Sequence, residues 1–143
     1  MSTIAIIQSD IENVFGSTFV AQWSNTGSIS QSPSANTARI AVAINVGTSQ
    51  VNGRLQNSQY ATPLNATNDA AVPIEIVDAM ATFAGYWLFR TGGLNYTKDT
   101  LRWMESLVQR VEKQLISIRI GNYPVACVTD TMKRQVPIVS ARA

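Results

Sequence analysis

The chain has 143 residues, of which 45% are hydrophobic and only 14% charged, and its net charge is +2. That is one domain with enough apolar content for a core, which excludes wholesale disorder, and it lacks the strongly basic balance of a dedicated nucleic-acid binder. Histidine is absent and Cys127 is the only cysteine, which excludes Ser-His triads, His-bearing zinc sites and an internal disulfide.

Ser, Thr, Asn and Gln fill the polar positions in place of charge, a composition suited to surfaces destined for contact. The N-terminal MSTIAIIQSD has no basic region and an apolar stretch of only four residues, so no secretory signal is expected. No apolar run approaches the roughly 18–20 residues of a membrane span. The expectation is a soluble chain of the cytosol with no membrane partner.

The first helix signal is Ser9-Asp10-Ile11-Glu12, where Ser9 at the cap and Glu12 three residues on have capping-box spacing. Ile11, Val14 and Phe15 give it an apolar face, and Gly16 is placed to end it. Ser17 reads as a second cap, before a short piece with Phe19, Val20 and Trp23. Residues 24–36, SNTGSISQSPSAN, carry no charge and read as a mobile loop. From Thr37 the pattern turns helical. Ile40, Ile44, Gly47, Val51 and Leu55 recur on one face, and Gly47 on that stripe predicts close approach of another helix.

Residues 57–71 read as a further polar connector. Val72-Pro73-Ile74-Glu75 then opens a helix, whose apolar stripe of Ile76, Val77, Met80, Phe83, Ala84, Trp87 and Leu88 is broad enough to make it central. Arg90 sits in its last turn and Gly92-Gly93 stops it. Thr97 caps the strongest periodic run, Leu101, Met104, Val108, Val111, Leu115 and Ile118, and Gly121 ends it. A helix of roughly 24 residues there spans about 36 Å. Arg102, Arg110 and Lys113 project away from its stripe, with Lys98 nearer the flank. Beyond Gly121, Pro124, Pro137, β-branched residues and Lys133-Arg134 replace the helical pattern. Val125, Val128, Val136, Ile138 and Val139 are costly to leave in water, so the segment reads as an extended arm that docks on something. The fold expected is all-α: a small bundle of about four helices over residues 1–121, with long polar loops, and a docking arm over residues 122–143.

No constellation carries an enzyme signature. Glu75 and Asp78, at i and i+3, are explained by the positive end of the helix dipole, and Glu12 by capping. Gly92-Gly93 follows a helix, whereas a phosphate loop follows a strand and opens a helix. No catalytic residue, metal ligand or cofactor is therefore assigned. The basic face of the last helix has two readings, a solvated face or weak contact with DNA phosphates. Trp103, off the apolar stripe, is either a rim residue of the core or an interface anchor. Together Trp103, Arg102, Arg110 and Lys113 form a candidate subunit or channel face. Tyr123, Val125, Val128, Lys133, Arg134, Val136, Ile138 and Val139 are the candidate partner-binding residues of the arm.

The order of these pieces resembles one family. A short helix ends in Val14-Phe15-Gly16. A small-residue helix runs through Ala41, Ala43 and Ser49 into Val51-Asn52-Gly53-Arg54-Leu55, followed by Tyr60-Ala61-Thr62-Pro63-Leu64. Val72-Pro73 then opens an apolar helix with Tyr86-Trp87-Leu88-Phe89, and a long helix closes the set. This resembles the head–tail connector proteins (adaptor or head-completion proteins) of tailed bacteriophages, over roughly residues 9–120, most tellingly at 51–64.

The resemblance implies a small helical protein that assembles into a homo-oligomeric ring, commonly a dodecamer. Such a ring sits under the portal protein, bridges it to the tail or the next neck protein, and lets DNA pass. It also implies a place in the virion neck, after assembly in the cytoplasm of a bacterial host, with arm and loops meeting the neighbours. A near-neutral chain suits a passage for DNA, since each phosphate contact deepens binding. The rivals are another neck protein such as a tail terminator, for which more strand pattern is expected, and a helical DNA-binding regulator, which needs a short basic recognition helix. An enzyme comes third.

Overall fold

The computed structural model describes residues 3–25, 35–68, 70–92 and 97–129 of the chain. Among them are five helices and no strand: α1 (Gln8–Phe15), α2 (Ser17–Ser24), α3 (Thr37–Arg54), α4 (Ile74–Gly92) and α5 (Lys98–Arg119). The protein is an all-α bundle, with three long helices and two short ones standing where the sequence suggested about four.

α4 is the centre. It begins directly after Pro73, whose missing N–H costs nothing at a helix start, and it carries Glu75 in its first turn and Arg90 in its last, matching the helix dipole. Ile76, Met80, Phe83, Leu88 and Phe89 are buried together with a run of small residues, Ala79, Ala81, Ala84, Gly85 and Gly92. The small residues let neighbours come close. A methyl group on Gly47 of α3 would overlap the Met80 carbonyl oxygen and crowd Ala84. Backbone contact between α3 and α4 therefore requires glycine there, despite its cost of roughly 1 kcal/mol in a helix interior. Gly85 takes the ring of Phe15 in the same way.

α3 buries Ile40, Ala43, Gly47 and Val51, with Leu55 just past its end. Ile44 lies at the margin of this face, partly buried. The Asn36 side chain caps α3 by accepting from the Arg39 N–H at 3.3 Å. α5 buries Met104, Val111, Leu115 and Ile118, and Leu101 and Val108 pack at the edge of the core. Its 22 residues rise about 33 Å. Thr97 caps it, accepting from the Thr100 N–H at 3.2 Å. At the far end Gly121 adopts φ +88°, a left-handed turn in which the Asn122 N–H donates to the Ser117 carbonyl at 2.9 Å.

The N-terminal helices differ in detail from the expectation. α1 starts one residue before Ser9, and its cap is made from within: the Ile7 N–H donates to Asp10 Oδ2 at 2.8 Å. Glu12 instead accepts from Gln8 Nε2 at 3.0 Å, one turn apart. Ser17 is the first residue of α2 rather than its cap, because Gly16, at φ +94°, makes the whole turn between the two helices. A left-handed backbone favours glycine, so α1 ends and α2 begins at that residue.

The segment 57–71 is more than a polar connector. Tyr60, Leu64 and Ala66 are buried in the core, and the segment is pinned on two sides. The Ile4 N–H donates to the Leu64 carbonyl at 2.9 Å, and the Leu64 N–H donates to Asn52 Oδ1 at 3.0 Å. The other side is held by the start of the arm. Ala66 pairs with Cys127 and Tyr60 with Thr129, both antiparallel. The Ala61 N–H donates to the Val128 carbonyl, and the Val128 N–H to the Asn65 carbonyl, each at 2.9 Å. These are pairings between segments far apart in sequence, which local composition does not reveal. Residues 125–129 thus lie along the chain's own 60–67 segment, with a bend at Ala126.

Candidate interaction surface

A groove of about 300 Å³ faces solvent where α3, α4 and α5 meet. α3 supplies Val46, Gln50 and Arg54, one row at i, i+4 and i+8. α4 supplies Phe83, Tyr86, Trp87 and Arg90, and α5 closes the side with Val108 and Glu112. Each row is fixed by helical periodicity, and its opposite face is held in the core, so the groove is preformed.

Its charged members are ordered by aromatic rings. Arg54 lies 4.5 Å from the centroid of Phe83 and ion-pairs with Glu112 at 3.1 Å, tying α3 to α5. Its other nitrogen donates to the Gln50 side chain one turn back. Beside the groove Arg39 lies 5.1 Å over the Trp87 ring and donates from Nη2 to Thr91 Oγ1 at 2.7 Å. Its Nε is buried with no hydrogen-bond partner. Such guanidinium–ring contacts are each worth roughly 0.5–1 kcal/mol at exposed sites. Arg90 is exposed and has no ion pair among the described residues. The uncompensated charge at the groove is therefore positive.

A second surface surrounds Trp103. It is 44% exposed, yet its ring packs edge-on against Phe15 with the centroids 6.2 Å apart, so it is a rim residue that also faces solvent. Phe15 also meets Trp23, which stacks on Phe19 at 5.4 Å. Phe19, at 48% exposure, is the other outward member of this aromatic run. Arg102, Arg110 and Lys113 are exposed on α5, as their projection from its stripe requires. Arg110 approaches Asp78 of α4 at 4.0 Å, a loose exposed pair of little energetic weight.

The arm residues divide. Tyr123 is exposed at the start of the arm. Val125 packs against the core, and its N–H donates to Tyr60 Oη at 3.0 Å. Val128 is partly buried. Lys133, Arg134, Val136, Ile138 and Val139 lie outside the described residues. Between the two valines the Cys127 thiol is pushed up from 9.0 to about 11, first by burial and then by the Glu75 carboxylate.

Sequence reading placed the outward residues of α5 but missed the groove. Its signal was present as two rows, Val46-Gln50-Arg54 and Phe83-Trp87-Arg90, each at helical spacing. Their juxtaposition depends on how α3 crosses α4. No group of three or more acidic or cysteine side chains suited to a metal ion occurs among the described residues, and no described helix is long and apolar enough to cross a membrane. Compared with known proteins, the chain finds no matching family model, no matching curated protein and no matching solved structure.

Proposed function

We propose that this chain is a structural joining protein of the tailed-phage neck, one that works through its surfaces. Copies assemble side by side into a ring, on the family pattern a dodecamer, which sits under the portal protein, meets the tail or the next neck protein, and leaves a passage for DNA. Its place is then the virion, after assembly in the cytoplasm of the bacterial host.

The observation that carries this reading is a rigid helical core that presents two separate contact surfaces, the groove of α3, α4 and α5 and the Trp103–Phe19 run. Large aromatic side chains at half exposure are the residues that anchor protein interfaces. Further support comes from element order. α1 ending at Phe15, α3 leading into Leu55, the packed segment through Leu64, α4 opening after Pro73 and the long α5 follow the sequence pieces that resemble the connector family. Arg102 and Lys113 on the exposed face of α5 suit weak, salt-sensitive contact with passing DNA.

The test is mass in solution over a concentration series, alone and with purified portal protein, joined to negative-stain microscopy of the mixture. The expected result is a ring of defined mass that co-migrates with the portal. A chain that stays monomeric and leaves the portal unaltered overturns the reading.

A further inference from the structure

We infer that the groove between α3, α4 and α5 is filled by a second copy of this chain, through the tip at the N-terminal end of α4. The inference rests on the self-assembly proposed above and assigns the two surfaces that meet.

The tip is apolar and acidic. Ile74 is 73% exposed, more than Ile7, Ile116 or Ile120, the other exposed isoleucines among the described residues, and Val72 is 39% exposed beside it. Glu75 stands beside them, partly exposed and without an ion pair among the described residues. Asp78 follows one turn later, held only by the loose approach of Arg110. The groove offers the opposite set: the partly exposed Val46, Tyr86 and Val108 for an aliphatic side chain, and Arg90, which has no ion pair among the described residues, for a carboxylate.

Tip and groove lie toward opposite ends of one helix, with about 24 Å between Ile74 and Arg90 at 1.5 Å per residue. A copy therefore cannot fill its own groove with its own tip. Two different complementary patches on one chain make a head-to-tail contact, the kind that closes into rings. The chain's own C-terminal residues are a poorer occupant. Residues 130–143 carry Lys133, Arg134 and Arg142 against the single Asp130, so they would bring positive charge to a positive groove. Matching of opposite charge selects the partner, and here it selects the tip.

Charge reversal tests this with the full chain. Arg90→Glu spoils the groove and Glu75→Arg spoils the tip, so each variant alone should lose self-association by about tenfold or more in dissociation constant. An equimolar mixture should recover it, because each spoiled patch then meets its reversed mate. Ile74→Ser removes an exposed side chain, leaves the core untouched, and should weaken association without altering the helical circular dichroism. Both reversed variants are checked for unchanged melting before assembly is scored. A wild-type chain that assembles while all three variants assemble equally well overturns the inference and leaves the ring reading standing. Loss in the single variants without recovery on mixing also overturns it. A wild-type chain that remains monomeric removes both.

Discussion

Cys127 shows how one side chain reports on the fold. It is 4% exposed where the start of the arm pairs with the segment carrying Tyr60 and Ala66, and burial, assisted by Glu75, raises its pKa to about 11. A thiol so held stays protonated at neutral pH and should be inert to thiol reagents until the chain unfolds. The unfolded chain releases that proton first, near its ordinary value of 9.0. The stabilising effect is thus complete below about pH 9 and is lost as pH rises through about 11. Urea midpoints measured across that window should fall with pH, and should fall less in Cys127→Ala. Gly47 is the opposite kind of residue, informative through what it lacks, and it was legible in the sequence. A glycine on an apolar stripe has few explanations other than a helix pressed against it, and the Met80 carbonyl is where that pressure falls.

Among the elements, the three long helices were readable because their stripes, caps and stops agree. Thr97, Gly121 and Pro73 each act where local chemistry places them. The segment 57–71 was not readable. Its buried residues, Tyr60, Leu64 and Ala66, are scattered among polar ones, and what orders them is pairing with residues about 60 positions away, as from Thr67 to Ala126 at 3.0 Å. The arm therefore has a structural share before any partner is considered. A chain ended after Thr129 keeps all of these contacts. One ended after Tyr123 loses them and uncovers Tyr60, and should be less stable by about 3 kcal/mol or more in chemical denaturation. Equal stability of the two truncations would show that the pairing contributes nothing.

For the molecule as a whole, low charge and abundant small polar residues suggest a surface suited to contact, while the shape of that surface depends on packing. The groove was hidden for this reason: Arg54 and Phe83 belong to different helices, and only the crossing of α3 over α4 brings the guanidinium onto the ring. The same holds for Trp103, whose neighbour Phe15 lies at the far end of the sequence. A last consequence concerns the place where the chain leaves α2 and returns to α3. The Asn36 N–H donates to Ser24 Oγ at 2.9 Å, and Ser24 is fully buried, so the two ends of the intervening stretch are stapled together by the body of the protein. With the two ends so fixed, lengthening the sequence between them adds loop-closure entropy, about 0.6 kcal/mol for each doubling in length. An affinity peptide grafted between Gly27 and Pro33 should therefore leave thermal melting nearly unchanged, giving each copy of the chain an addressable handle that imaging could count.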